Sequence, residues 1–131
     1  MTTTEHVHVL LVEDDEDLRP ILARHLAAKG FRVAEAVSAE DATAQLAAGL
    51  TPALVLLDLN LPGDTGWDLL RAGPLAGPNA PPVVVATATA ISPRRLREFG
   101  VAGYLPKPSA METIVSTIER IAGRPEGVPK G

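Results

Sequence analysis

The sequence predicts an α/β domain in which helices cover both faces of a five-stranded parallel sheet. Strand-like and helix-like segments alternate five times along the 131 residues. The strand-like segments are mostly continuous apolar runs, whereas strands with one face in water would alternate apolar and polar residues. In addition, polar or charged residues follow four of these runs.

An apolar run predicts the first strand, and a helical repeat of apolar residues predicts the first helix. VHVLLV, residues 7–12, is an apolar run interrupted by His8. The following segment repeats apolar residues at helical spacing, and Gly30 is a natural stop for it. The side of this helix that should face the core carries Leu18, Ile21, Leu22 and Leu26.

Capping and turn residues mark the next elements. FRVAEA, residues 31–36, predicts a weaker second strand. Ser38 is typical of a helix start, and an alanine-rich helix follows it. Residues 51–52, Thr-Pro, are expected to form a loop before ALVLLD, residues 53–58, which predicts the third strand.

The next part of the chain favours short helices. LPGDTG, residues 61–66, predicts a loop, and the third helix that follows should end early because RAGPLAGPNAPP, residues 71–82, contains four prolines and two glycines. PVVVAT, residues 82–87, predicts the fourth strand. Ser92 and Pro93 then suit the N-cap and first position of a short fourth helix.

The last strand and helix are predicted at the C-terminal end of the domain. GYLPKP, residues 103–108, predicts a short fifth strand. Ser109 and Glu112 have the spacing of a capping box for the last helix. The apolar stripe of that helix is formed by Ile114, Ile118 and Ile121.

Composition limits the possible classes of function. With 46% hydrophobic residues the chain can bury the core of one domain, expected over residues 6–122, followed by a flexible tail or linker over residues 123–131. It contains no cysteine, which excludes disulfides and thiolate chemistry. Its net charge of −4 argues against direct nucleic-acid binding. The sequence shows neither a signal peptide nor a membrane span, so we expect a cytoplasmic protein.

Polar side chains end four of the five predicted strands. Glu13 and Asp14 follow the first strand, Asp58 the third, Thr87 the fourth, and Lys107 lies at the end of the fifth. The carboxyl ends of parallel strands meet at one edge of the sheet, where such sheets bind their ligands. The sequence therefore predicts that these side chains form one pocket.

The chemistry of this pocket favours phosphoryl transfer. Clustered carboxylates repel one another, and a hard cation such as Mg²⁺ relieves that repulsion. A cation, the Lys107 ammonium and the Thr87 hydroxyl are the groups that could neutralise the oxygens of a transferring phosphoryl group. Asp58 would then be the nucleophile, and the product would be an acyl phosphate.

The segments VEDDEDLR, LLDLNLPGDTG, VVVATA and GYLPKP resemble, in order and in spacing, those of the receiver domains of two-component response regulators. The resemblance covers about residues 6–122 and implies a flavodoxin-like (βα)5 fold with strand order 2-1-3-4-5, here with shortened third and fourth helices. It also implies a phosphoacceptor signalling domain rather than an enzyme. Such a domain assists its own phosphorylation and its slow autodephosphorylation. The phosphoryl group would come from a sensor histidine kinase or a histidine phosphotransfer protein.

The resemblance implies a role for each residue of the metal site. Asp58 would be the phosphoacceptor and, with Asp14, a direct ligand of Mg²⁺ or Mn²⁺. Glu13 would act through a water molecule, and the main-chain carbonyl of Asn60 would be the remaining protein ligand. The Asn60 side chain itself indicates little about the metal. No other cofactor is expected.

The resemblance also implies a switch that controls an output. Thr87 and Lys107 would bind the phosphoryl oxygens, and the Lys107–Pro108 peptide bond would be cis. On phosphorylation Thr87 would move toward the phosphate and Tyr104 would turn inward behind it. The shortened helices, and Ser109 at a position where the family commonly has phenylalanine, leave open whether the usual output and dimer surface is kept. A phosphorylation-dependent homodimer is one expected consequence of the switch.

Other interpretations of the same residues remain open at this stage. A Mg²⁺-dependent aspartyl-phosphate phosphatase would place a second aspartate two residues after Asp58, where this chain has Asn60. An FMN carrier shares the fold, but the acidic run of residues 13–17 would repel its phosphate. A docking receiver that is never phosphorylated would not need the complete set of site residues. Within the acidic run, Glu16 and Asp17 are expected to belong to a helix start, and Asp15 fits either a helix start or the site.

Overall fold

The computed structural model describes residues 5–61 and 66–124. Most of the predicted LPGDTG loop, residues 62–65, and most of the predicted tail, residues 125–131, lie outside the described residues. Within the described ranges the elements alternate as β1 (Glu5–Val12), α1 (Leu18–Ala28), β2 (Val33–Ala36), α2 (Ala39–Ala47), β3 (Leu50–Asp58), α3 (Gly66–Ala72), β4 (Val83–Thr87), α4 (Pro93–Glu98), β5 (Gly103–Pro106) and α5 (Met111–Ala122).

The five strands form one parallel sheet in the order β2-β1-β3-β4-β5, which confirms the predicted fold class. The direction of the strand order reverses between β1 and β3. In the register of the sheet Val12 pairs with Leu57, and Thr87 pairs with Pro106. The carboxyl ends of β1, β3, β4 and β5 therefore lie side by side at one edge.

Helices bury both faces of the sheet. Successive residues of a strand point to opposite faces, and the consecutive pairs Leu10–Leu11 and Leu56–Leu57 are all at most 3% exposed. One buried cluster packs against α2, α3 and α4, and the other against α1 and α5. Full burial of a side chain of this size stabilises the fold by about 1.5–3 kcal/mol. The sheet is therefore a rigid platform for the polar residues at its edge.

The third strand is longer than predicted. Residues 51–52, expected to form a loop, belong to β3 because β1 begins at Glu5 and pairs with them: His6 lies opposite Thr51, and Val7 lies opposite Pro52. Pro52 removes one hydrogen-bond donor from this end of the ladder, and the strand tolerates that loss.

Two expectations near α1 were also wrong. Ile21 is 44% exposed, and Arg19 and Ala23 join Leu22 and Leu26 on the buried side of the helix. The second strand begins at Val33 rather than two residues earlier. Phe31 is instead buried, and its N–H donates to the carbonyl oxygen of Leu26 at the end of α1, 3.1 Å away.

The helix starts show which capping patterns were reliable. Ser38 Oγ accepts a hydrogen bond from the Asp41 N–H at 3.0 Å, and Ser92 Oγ accepts one from the Arg95 N–H at 3.2 Å, as expected for N-caps. The capping box predicted at Ser109 is wrong. Its hydroxyl donates to the Pro106 carbonyl, and α5 begins after Ala110 with no side-chain cap.

The third and fourth helices are short, at 7 and 6 residues, as predicted. An aromatic contact connects them: the rings of Trp67 and Phe99 are 4.7 Å apart, and the Arg95 guanidinium lies 4.6 Å from the Trp67 ring. Such cation–aromatic contacts stabilise partly exposed surfaces by about 0.5–1 kcal/mol. None of the helices in the described ranges is long and apolar enough to span a membrane.

Substituting Gly66 by alanine tests how tightly α3 packs on the end of β3. A Cβ atom at Gly66 would lie 2.9 Å from the Asp58 carbonyl oxygen and 3.0 Å from the Leu59 Cα. Alanine is the better helix former by about 1 kcal/mol, but overpacking against a fixed backbone costs about 1–3 kcal/mol. We expect Gly66→Ala to lower the free energy of unfolding in urea. A more stable variant would show that this end of the sheet can shift.

Candidate functional site

Three carboxylates converge where β1 and β3 end. Glu13 and Asp58 directly follow the paired residues Val12 and Leu57, and Asp14 follows Glu13 just beyond the end of β1. One oxygen from each of the three carboxylates lies within 4.8 Å of the others. Glu13 and Asp58 are only 3% and 4% exposed. Three negative charges at this separation, two of them buried, require a positive counter-charge.

Lys107 provides a positive charge from the end of β5. Its Nζ donates to Glu13 Oε1 at 2.7 Å and lies 3.2 Å from Asp58 Oδ2. The Lys107 main-chain N–H donates to the Thr87 carbonyl oxygen at 3.0 Å, and the peptide bond to Pro108 is cis. The Lys107 ammonium thus contacts two buried carboxylates. Because it carries only one positive charge, the cluster of three carboxylates keeps a net negative charge and is suited to a cation.

The pKa values of the two ion-pair partners reflect this arrangement. Burial raises the pKa of Glu13, and the nearby Asp58 carboxylate adds to the effect, while the hydrogen bond from Lys107 opposes it. Burial alone would lower the pKa of Lys107, but its hydrogen bond to Glu13 and the charge of Asp58 outweigh burial, so the pKa is raised. Lys107 therefore carries its charge at neutral pH.

Asn60 connects Asp58 with Thr87. The Asn60 main-chain N–H donates to Asp58 Oδ1, and its side-chain Nδ2 donates to Thr87 Oγ1, both at 3.0 Å. Thr87 is 1% exposed, and its hydroxyl also accepts from the Thr89 N–H at 3.1 Å. The sequence interpretation gave the Asn60 side chain no role, and no pattern in the sequence indicates this contact.

Asp15 belongs to the start of α1, which settles a choice that the sequence left open. Its Oδ1 accepts from the main-chain N–H groups of Leu18 and Asp17, at 2.9 and 2.8 Å. These hydrogen bonds hold the pKa of Asp15 below its usual range. The side chain thus caps the first turn of the helix, as its position near a positive helix end favours.

Arg19 is a residue of the site region that sequence reasoning missed. It is 8% exposed, and its Nη1 donates to the Glu13 carbonyl oxygen at 3.0 Å. Its guanidinium also pairs with Glu16 and, at 3.3 Å, with Glu35 at the end region of β2. Arg19, on α1, therefore holds the main chain of Glu13 in place. A buried arginine among acidic residues is hard to find from sequence because helix periodicity favoured Ile21 instead.

Tyr104 and Thr87 occupy adjacent strands. Tyr104 pairs with Val85, two residues before Thr87, so the two side chains belong to the same face of the sheet. Tyr104 is half-buried and packs against the cluster that faces α2, α3 and α4. The predicted switch pair is thus close in the sheet, and its motion stays a prediction.

A cavity of about 380 Å³ lies beside the carboxylates. Glu13, Asp58 and Lys107 line one part of it, and most of the remaining wall is apolar. The apolar wall comes from α1, α5 and the central strands, and Ser109 also lines the cavity. The small side chain at Ser109 leaves this space open next to the site.

The geometry can perform two chemical tasks. The carboxylates of Glu13, Asp14 and Asp58 are hard oxygen ligands and could hold a divalent cation such as Mg²⁺. Asp58 presents a carboxylate whose two oxygens contact Lys107 and the Asn60 N–H, so its orientation is fixed. The site could therefore hold a divalent cation beside a carboxylate of fixed orientation.

Residues 9–119 match the response regulator receiver domain family. Protein PetR of Rhodobacter capsulatus is 34% identical over 134 residues, which covers 100% of this chain and 55% of PetR. The chain therefore spans about half the length of that relative. Among solved structures, the non-phosphorylated HemR receiver domain of Leptospira biflexa is 31% identical with a TM-score of 0.76, covering 97% of this chain and 98% of that one.

A second similar solved structure contains a phosphorylated residue. A response regulator from Burkholderia pseudomallei, determined with a phosphorylated aspartic acid, a calcium ion and citrate, is 28% identical with a TM-score of 0.72. The alignment covers 87% of this chain and 66% of that protein. The chain belongs to the receiver domain family of two-component response regulators, whose members are phosphoacceptor signalling domains.

Replacing Glu13 by glutamine should change how stability depends on pH. Because the folded state raises the pKa of Glu13, the stability of the protonated form is present below the usual pKa of about 4.3 and is lost as the pH rises through the raised value. Glutamine does not titrate. In EDTA we therefore expect the free energy of unfolding of Glu13→Gln, relative to the parent, to increase between about pH 4 and pH 7.

Urea unfolding at several pH values measures this slope. Glu40→Gln, on the exposed surface of α2, removes the same charge away from the cluster and serves as the control. A relative stability of Glu13→Gln that stays flat or falls over this range would contradict the raised pKa.

Proposed function

We propose that Asp58 accepts a phosphoryl group from the phosphohistidine of a sensor histidine kinase or a histidine phosphotransfer protein. The observation that carries the proposal is the position of Asp58: it is 4% exposed, Lys107 lies 3.2 Å from one oxygen, and the Asn60 N–H donates to the other. The phosphorylated aspartic acid in the related Burkholderia pseudomallei protein supports it.

The transfer uses residues that are already in place. One Asp58 oxygen forms the new P–O bond while the P–N bond of the phosphohistidine breaks, and the electron pair returns to the imidazole nitrogen. Lys107, now shared between Glu13 and Asp58, would bind a phosphoryl oxygen as charge moves onto the aspartyl side. Positioning and electrostatic stabilisation are the main contributions a protein makes to such transfers.

A divalent cation completes the charge balance of the site. We propose Mg²⁺, or Mn²⁺, held by Asp14, Asp58 and the main-chain carbonyl of Asn60, with Glu13 acting through water. The converging carboxylate oxygens fit a hard cation with oxygen ligands. When bound, the cation would neutralise phosphoryl oxygens during transfer.

The proposed role is that of a signalling domain rather than an enzyme acting on a separate substrate. An aspartyl-phosphate phosphatase needs a second acidic group two residues after its nucleophile, and here Asn60 uses its side chain as a hydrogen-bond donor to Thr87. Thr87 and Tyr104 would carry the change of state to an output. We propose that this activity takes place in the cytoplasm.

Phosphorylation can be tested with a small phosphodonor. With Mg²⁺ and acetyl phosphate, the intact mass of the parent protein should increase by one phosphoryl group, and Asp58→Asn should show no increase. Asp17→Asn, which removes an exposed acid just before α1, is the matched control and should still gain the group. A folded parent protein that gains no mass would contradict the proposal.

Metal dependence should be visible in thermal stability. In EDTA, Asp58→Asn should raise the melting temperature because it removes one of three clustered carboxylates while Lys107 keeps its bond to Glu13. Mg²⁺ should then raise the melting temperature of the parent more than that of the variant, since binding to the native state stabilises it. A lower melting temperature of Asp58→Asn in EDTA would mean that Asp58 is mainly a structural partner of Lys107.

A further inference from the structure

Asn60 makes two hydrogen bonds that connect the nucleophile to the residue expected to move. Its main-chain N–H binds Asp58 Oδ1, and its side-chain Nδ2 binds Thr87 Oγ1. We propose that the Asn60 side chain is a positioning residue that holds the Thr87 hydroxyl in its unphosphorylated orientation. It would thereby set the equilibrium between the two orientations of Thr87. The inference rests on the proposed function, in which Thr87 moves toward a phosphoryl group on Asp58.

The hydrogen-bonding capacity of Thr87 supports this role. A hydroxyl has one donor and two acceptor sites. Nδ2 of Asn60 and the N–H of Thr89 both donate to Thr87 Oγ1, so both acceptor sites are in use. Because Thr87 is 1% exposed, water cannot easily replace a lost partner. Any rotation of the hydroxyl away from this position must break at least one of these bonds.

Of the two bonds, the one from Asn60 resists the movement of Thr87. Thr89 lies two residues from Thr87 on the same segment, so its N–H can move together with the hydroxyl. Asn60 instead follows β3, and its side chain ties β4 to the neighbouring strand that carries Asp58. Loss of one such net hydrogen bond corresponds to a change of roughly 2- to 10-fold in an equilibrium constant.

Phosphorylation of Asp58 would weaken the hydrogen bond that its side chain accepts from the Asn60 N–H. The Asp58 carboxylate is a charged acceptor for the Asn60 N–H, and charged acceptors form shorter and stronger hydrogen bonds than neutral ones. In an acyl phosphate the carbonyl oxygen of Asp58 is neutral, while the phosphoryl oxygens offer a charged acceptor for the Thr87 O–H. The same event thus loosens Asn60 and attracts Thr87.

The contact can be tested without any phosphodonor. Thr87→Val removes both acceptor sites and keeps the shape of the side chain, so the NMR signals of the Asn60 side-chain NH₂ should shift. Gln45 is the internal control, because its Nε2 donates to the Glu35 carbonyl oxygen at 2.8 Å on the edge strand β2, which β1 and β3 separate from β4. Asn60 signals that stay at the parent positions in Thr87→Val would overturn the proposal, whether or not Asp58 is phosphorylated.

The effect on the switch can be tested with Asn60→Ala. Beryllofluoride with Mg²⁺ defines the switched position of the Thr87 methyl signal in the parent. In Asn60→Ala without beryllofluoride, that signal should move toward the switched position, with the population ratio raised by roughly 2- to 10-fold. Gln45→Ala, the matched loss of a side-chain amide, should leave it unchanged.

The outcomes separate this inference from the proposed function. A Thr87 methyl signal that Asn60→Ala leaves at the parent position, in a variant whose melting curve shows that it is folded, overturns the inference alone. A parent protein that neither gains a phosphoryl group nor responds to beryllofluoride overturns the proposed function. In that case a shifted Asn60 signal in Thr87→Val would still support the positioning contact in the unphosphorylated protein.

Discussion

The site depends on one ammonium group shared by two buried carboxylates. Lys107 Nζ contacts both Glu13 and Asp58, whose strands it reaches from the far side of β4. Burying each carboxylate costs free energy, and the single ammonium of Lys107 cannot neutralise three carboxylates, so the pocket keeps a net negative charge. That charge favours the binding of a metal ion. In the proposed transfer the same Lys107 ammonium would bind a phosphoryl oxygen.

The rest of the fold serves to hold this geometry. The apolar strands are buried on both faces and fix the positions of Glu13 and Asp58 at the carboxyl edge of the sheet. Arg19 anchors the main chain of Glu13, and Asn60 ties Asp58 to Thr87. The cavity beside them is mostly apolar, so water and ions have few polar partners there outside the carboxylates. The chemistry is thereby confined to one corner of the sheet.

The sequence predicted those features that depend on local pattern and on topology. Apolar runs give the strands, parallel topology gathers their ends, and the polar residues at those ends therefore meet. The features that it missed depend on contacts between different structural elements. Thr51 and Pro52 join β3 only because β1 extends to Glu5, and Arg19 is buried only because its guanidinium finds the Glu13 carbonyl. The Asn60 side chain likewise gains its role from Thr87, 27 residues away.

The aromatic contact between α3 and α4 has a practical consequence. Trp67 is the single tryptophan of the chain, and it touches Phe99 and the Arg95 guanidinium where these two short helices meet. Because indole emission depends on neighbouring charges and on access of water, the intrinsic fluorescence of the unlabelled protein reports on this one contact. The fourth helix follows directly from the segment that contains Thr87 and Thr89. The chain thus carries its own optical probe at the contact between α3 and α4.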